Sequence, residues 1–247
     1  NISTEIVQRC VECQKEKLAR RGYGHLPPRE VNLQPWRNVA VDLIGPWQVK
    51  IQPDQVIEFN ALTMIDTDTN IVEACRIDNK TAHHIALKFE NEWLSRYPWP
   101  ERCIHDNGGE FIGAPFQALL QRTNIQDVPT TVRNPQANAI CERMHQTMGN
   151  MLRPYLTQAI YNQQEANQII DTALATTMFA LRASIHSTMK ISPTALVFGR
   201  DTFLDIPIIA EIESIRQRRQ NMVDYNNERE NRKRIDYDYQ IGQQVLK

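Results

Sequence analysis

Between Trp36 and Arg200 the apolar residues change period in a fixed order, and that order limits the possible folds more than any other feature. Val39-Ala40-Val41-Asp42-Leu43-Ile44, closed by Gly45-Pro46, reads as a strand. Residues 56–65 and 71–77 read as two more, with Asp66-Thr67-Asp68-Thr69-Asn70 as the turn between them, because short polar side chains can hydrogen-bond their own backbone in a turn. Thr81 is placed to cap a helix through Tyr97, whose Ile85, Phe89 and Trp93 recur every four residues before Pro98 and Pro100 end it. Residues 101–105 form a short strand, Asn107-Gly108-Gly109 a turn, 115–121 a short helix and 126–131 a further strand. Pro135 opens a long helix to about Leu156, a second amphipathic helix covers 165–185, and Ser192-Pro193 starts one more turn closed by Gly199. Three strands, helix, strand, helix, strand and then helices predict an α/β fold: a mixed five-stranded sheet flanked by helices, from about Trp36 to Arg200.

A length of 247 residues allows one sizeable domain with smaller flanking pieces. No apolar run is long enough to span a bilayer, so no membrane partner is expected. The start, Asn1-Ile2-Ser3, is neither a secretory signal nor a methionine start, and the chain reads as a fragment of something longer. Of the five cysteines only Cys10 and Cys13 are close in sequence, which argues against a disulfide framework and fits a reducing, intracellular compartment. The net charge of -1 hides an uneven distribution. Basic residues crowd 9–29 and 216–234, and acidic ones dominate 54–78. Such a pattern suits a protein that clamps DNA at its edges and holds metal in its middle, although two solvated helical faces would give the same charges.

Asp42 is the most telling single residue. It sits in an otherwise apolar strand, where a charge is costly unless paired or metal-bound. Asp106 closes the strand Arg102-Cys103-Ile104-His105, directly before a Gly-rich turn. Adjacent strand ends could present both carboxylates side by side. Glu142 lies near the start of the long helix, about 200° around it from Ile140, off an apolar stripe of Ile140, Met144, Met148, Met151 and Tyr155. His145, Gln146, Gly149 and Arg153 share its face. Carboxylates on rigid elements are what two hard divalent ions need for in-line phosphoryl transfer. Three acids among 29 could still be unrelated surface groups.

Their local contexts resemble those of the DDE integrase core of retroviruses and gypsy-like LTR retrotransposons. The matching segments are Trp36 to Pro46, then His105-Asp106-Asn107-Gly108-Gly109-Glu110-Phe111, then Asn134-Pro135-Gln136-Ala137-Asn138-Ala139-Ile140-Cys141-Glu142-Arg143. Between Asp106 and Glu142 lie 35 residues, the family's spacing. Ser192-Pro193-Thr194-Ala195-Leu196-Val197-Phe198-Gly199-Arg200 resembles the end of the gypsy-like core.

The resemblance implies a ribonuclease H-like catalytic core at 30–200, a helical connector at 205–236 and, at 237–247, the start of a truncated small barrel. Asp42, Asp106 and Glu142 would be the catalytic residues and would hold two Mg²⁺ or Mn²⁺ ions, one activating water or a 3′-hydroxyl and one stabilising the leaving oxygen. The implied reaction trims the element's DNA 3′ ends and joins them to target DNA, in the nucleus of a eukaryotic host. Asn134, Gln136 and Asn138 would touch DNA from a mobile loop, with Arg143, His145 and Arg153 as further contacts. Two departures stand out: Ala139 where the loop has glycine, and Gln146 where retroviral relatives carry lysine. Residues 1–25 resemble the remnant of a zinc module, Cys10 and Cys13 being half of its ligands. Zn²⁺ is expected there only if paired histidines precede residue 1. The implied partners are double-stranded DNA and further copies of the chain.

Other residues receive plainer readings. Asp66 and Asp68 shape a turn, Glu110 orients the Gly-rich turn, His105 is a strand residue, and Cys75, Cys103 and Cys141 are buried or half-buried thiols. Two alternatives remain: a ribonuclease H-like nuclease, with Asp171 as its fourth acid, or a non-catalytic DNA-binding remnant.

Overall fold

The structure is a computed structural model describing residues 22, 24–130, 135–204, 206–238 and 240–242, with 135–139 as helical backbone only. The chain divides into two compact units, residues 32–215 and residues 1–31 together with 216–247.

In the larger unit, β1 (Asn38–Ile51), β2 (Gln55–Asp66), β3 (Val72–Ile77), β4 (Arg102–His105) and β5 (Gln126–Pro129) form one sheet in the order β3-β2-β1-β4-β5. The first three strands are an antiparallel meander, while β4 and β5 run parallel to β1. The mixed sheet expected from the sequence is therefore present, with the expected five strands. Between β3 and β4 lies α1 (Ala82–Phe89), which runs on as a π-turn over Glu90–Leu94. Thr81 caps it, its hydroxyl accepting from the His84 amide. Two short helices follow β4, α2 (Gly109–Ile112) and α3 (Ala114–Arg122). Then come α4 (Pro135–Leu156), α5 (Gln163–Ala183), α6 (Pro193–Phe198) and α7 (Ile212–Asn231).

The pleat of β1 explains the two layers. Side chains alternate across a strand, so Val39 and Val41 meet one face and Ala40 the other. Val39 and Val41 are buried with Leu62, Met64, Ile85, Phe89 and Trp93, beneath α1 and α3. Ala40 is buried with Ile65, Val72, Cys141, Met148 and Met178, beneath α4 and α5. Asp42 shares the parity of Ala40 and is thereby aimed at α4.

Several boundaries differ from the sequence reading. Gly45-Pro46 does not end β1; the strand runs on to Ile51 past a register shift between Ile44 and Trp47. A bulge accommodates both a proline and a glycine with φ of 116° that other residues rarely adopt. Asn107-Gly108-Gly109 is only partly a turn, because Gly109 already begins α2. Asp66 keeps the turn role: its buried carboxylate accepts from the Trp36 and Asp68 amides and the Thr69 hydroxyl.

In the smaller unit, residues 24–31 run beside α7, held by amide side chains. Asn231 bonds both the N–H and the C=O of Leu26, and Asn227 donates to the Pro27 carbonyl. Gln220 accepts from the Val31 amide and donates to the Arg29 carbonyl. In the sequence these stretches read as linker and connector, with no signal that they pair.

Candidate active site

Carried two residues beyond its last paired step, Ala40 opposite Ile104, the parallel register of β1 and β4 sets Asp42 beside Asp106. Glu142 comes from the first half of α4. A cavity of about 100 Å³ is lined by Asp42, Asp106 and Glu142 together with Ala40, Val41, Ile104, His105, Thr130 and Cys141. Three acids distant in sequence are thus brought to one depression by two strands and a helix. Asp106 and Glu142 are exposed and Asp42 is half-buried.

Burial, and then the negative charges of Asp106, Glu110 and Glu142, push the Asp42 carboxyl up to about 6, against a hydrogen bond from the Leu43 amide that favours its charged form. No Lys or Arg lines the cavity. The three carboxylates fit hard divalent cations in charge and in donor type, and no Lys or Arg in the lining neutralises them. As placed, no group of three His, Cys, Asp or Glu among the described residues is arranged to hold an ion.

Two neighbours complete the site. Thr63, fully buried on β2 opposite Asp42, donates to the Asp42 carbonyl and shares a 2.9 Å hydrogen bond with His145 Nε2. His145 Nδ1 stands 3.8 Å from Asp42 Oδ2. Burial lowers the imidazole to about 4, so the ring is neutral near pH 7 and the contact is polar rather than an ion pair. His145, expected on an exposed ridge with Glu142, instead turns toward the sheet. The helix buries Cys141, Met148 and Leu152, a stripe rotated from the one read off the sequence.

The turn after Asp106 is drawn tightly around its acid. The Gly108 amide donates to Asp106 Oδ1 at 3.0 Å. A Cβ at Gly108 would stand 2.8 Å from Glu110 Cδ and 3.0 Å from Asp106 Oδ1, so a side chain there would collide with both carboxylates. Glu110, assigned to the turn, is also one of the three negative charges acting on Asp42. His105 is buried with an oxygen acceptor facing each ring nitrogen, more than an ordinary strand residue. Thr63, Thr130 and Asp127 were missed by sequence reasoning. Only the polar residue inside the apolar run of β2 could have signalled Thr63.

Of the remaining expected contacts, Arg143 and Arg153 are exposed on α4 and do not line the cavity. Asn134 and the side chains of Gln136 and Asn138 lie outside the described residues, as do Cys10 and Cys13. Cys103 and Cys141 are buried and Cys75 half-buried, as expected.

The mixed five-stranded sheet flanked by helices defines a fold class, the ribonuclease H-like fold of retroviral integrase catalytic cores. The chain is 24% identical over 207 residues to the Pol polyprotein of an ovine maedi visna related virus, covering 80% of this chain and 16% of that protein. It is 25% identical over 207 residues to the Pol polyprotein from transposon 412 of Drosophila melanogaster, covering 83% and 16% respectively. The chain thus spans only a small part of the length of these relatives. No protein-family model matches it.

Among solved structures, it resembles the simian T-cell lymphotropic virus intasome in complex with PP2A regulatory subunit B56 gamma, with a TM-score of 0.62 and 16% identity over 85% of this chain and 70% of that one. It also resembles the catalytic core domain of BIV integrase, with a TM-score of 0.50 and 20% identity over 66% and 94%. The HTLV-2 integrase catalytic core in complex with magnesium gives a TM-score of 0.50 and 18% identity over 65% and 95%. The resemblance read from the three sequence segments is borne out: the relatives are Pol polyproteins, and the fold is that of retroviral integrase catalytic cores.

Proposed function

We propose that this chain is the catalytic part of a DNA-integrating enzyme, a polynucleotidyl transferase that trims the 3′ ends of element DNA and joins them to target DNA. The observation that carries the reading is the convergence of Asp42, Asp106 and Glu142 on one cavity without a lysine or arginine in its lining. Those carboxylates would hold two Mg²⁺ or Mn²⁺ ions, which supply Lewis acidity to the attacking and leaving oxygens of a phosphodiester. The protein's own contribution is positional. The Asp42 strand is locked to Thr63 and His145, and Asp106 is braced by the Gly108 amide, so both acids sit on rigid elements. Joining exchanges one phosphodiester for another: a 3′-hydroxyl oxygen bonds to phosphorus as the P–O bond to the departing 3′-oxygen breaks. No nucleotide cofactor is required.

Double-stranded DNA and further copies of the chain are the proposed partners, with action in the nucleus where the host is eukaryotic. Arg143 and Arg153, exposed on the helix that carries Glu142, are suited to phosphate contact. Residues 1–25 and 237–247 are proposed as parts of a zinc module, with Cys10 and Cys13 as half of its ligands and Zn²⁺ bound only where paired histidines precede residue 1, and of a small barrel. Among the described residues, no helix is long and apolar enough to cross a membrane. The nuclease reading is weaker, since Asp171 is exposed on α5 and does not line the cavity.

The test is incubation with Mg²⁺ or Mn²⁺ and duplexes carrying the element's own DNA ends, beside an RNA–DNA hybrid. Joined DNA products that vanish in Glu142→Gln, with DNA binding retained, are expected. Hybrid cleavage without joining, or joining that survives Glu142→Gln, would overturn the assignment.

A further inference from the structure

The ring of His105 is buried, and by the parity of β4 it lies on the sheet face away from the acids, with Phe111 at 5.3 Å and Phe116 at 5.9 Å. A polar ring among aromatics costs free energy unless its nitrogens are bonded, and an aliphatic residue would suit that pocket better. Each nitrogen faces an oxygen acceptor, and the ring donates to both at once when it carries both protons. Nδ1 contacts the Asp106 carbonyl oxygen at 2.5 Å, and Nε2 contacts Asp127 Oδ1 on β5 at 2.5 Å. The His105 carbonyl in turn accepts from the Thr130 amide at 2.6 Å, and Asn107 Nδ2 donates to the Thr130 carbonyl. One side chain therefore ties the main chain of Asp106 to the strand whose exit, at Thr130, walls the acidic cavity.

We infer that His105 is a positioning residue of the proposed transferase, and Asp127 its anchor: together they hold the Asp106 peptide and the end of β5 as one rigid piece. The inference rests on the transferase reading for its kinetic consequence but not for its geometric one. The His105 ring packs on Phe111 and Phe116 rather than among the carboxylates, so His105 and its anchor would act through the Asp106 backbone. His105→Phe keeps the stacking and removes both polar contacts. Asp127→Ala removes only the anchor, and Asp127→Asn keeps an oxygen that can accept from Nε2–H.

Three measurements on the full chain decide it. Amide exchange at Thr130 without metal should accelerate at least about tenfold in His105→Phe and Asp127→Ala, because the local opening becomes easier. Mn²⁺ affinity by calorimetry should fall in both. Single-turnover joining should fall by about 10- to 100-fold at unchanged DNA affinity, the cost of a small misplacement of a reacting group. Asp127→Asn should recover most of each loss. If His105→Phe fails to fold, the two Asp127 variants carry the test. Wild-type exchange and Mn²⁺ affinity in Asp127→Ala would overturn the inference, as would a loss of joining that merely tracks the loss of folded protein. An unaltered protein that joins no DNA would sink the transferase reading instead, while exchange and Mn²⁺ affinity still judge the tether.

Discussion

Asp42 and His145 respond to the same burial in opposite directions. The carboxyl is raised from 3.8 to about 6 and the imidazole lowered from 6.5 to about 4. Between pH 4 and 6 the folded protein holds a proton on Asp42 that the unfolded chain has lost, so this group's contribution to stability falls as pH rises. Over roughly the same window the unfolded chain protonates a histidine that the folded protein keeps neutral, so the His145 contribution rises with pH. The two slopes oppose each other and largely cancel. Substituting either group should expose the other. In EDTA, Asp42→Asn should gain stability relative to the unaltered protein as pH rises from 4 to 6, and His145→Gln should lose it. Each change should be on the order of 1 kcal/mol, or about 2–4 °C in melting temperature for a domain of this size. Calorimetry at pH 4, 5 and 6 measures both, and three parallel profiles would refute the arrangement. The acids themselves were legible in the sequence, since a lone charge in an apolar strand and an acid before Gly-Gly are local signals. Thr63, Asp127 and the inward turn of His145 were not, because they depend on cross-strand register and helix phase, which no local window contains.

Glycines show how far an element can be read from its residues. Gly-Pro suggested the end of β1, yet the strand continues, because a bulge tolerates what a regular ladder rejects. At Gly45, with φ of 116°, an added Cβ would lie 2.9 Å from the Phe59 carbonyl oxygen, a backbone atom that cannot swing aside. Gly45→Ala should therefore cost on the order of 2 kcal/mol, about 4–8 °C in melting temperature. At Gly109 a Cβ meets nothing within 4 Å, and Gly109→Ala should leave the melting temperature within about a degree, as surface substitutions away from special features do. Equal effects from the two would mean that the bulge is not what holds the long β1–β2 hairpin. The strands and main helices were legible because their apolar period is strong. The partition of the turn after Asp106 into α2 and α3 was not, since those helices are too short to impose a period.

At the scale of the molecule, the larger unit carries the whole sheet and the acidic cavity, and the smaller one draws residues 24–31 and most of α7 together through amide side chains. That pairing was invisible in the sequence because Gln220, Asn227 and Asn231 bond to backbone, which leaves no hydrophobic signature. Residues 32–215 should consequently fold without the rest, and the fragment should keep its Mn²⁺ affinity, since every acid of the cavity is within it. DNA binding should behave differently. The basic residues of 216–234 are partly neutralised within their own unit: Arg232 pairs with Glu228, and Lys233 and Arg229 with Glu230. Their contribution to phosphate contact should accordingly be smaller than their number suggests. Each phosphate neutralised adds about 0.9 to the slope of log affinity against log salt, so removing this unit should flatten the slope by roughly 2–4. Fluorescence anisotropy of a labelled duplex between 50 and 200 mM salt, about the range over which such contacts dominate, measures it for both chains. A fragment with the full chain's slope would mean that the core alone grips the phosphates, and the exposed Arg143 and Arg153 would then be the first residues to substitute.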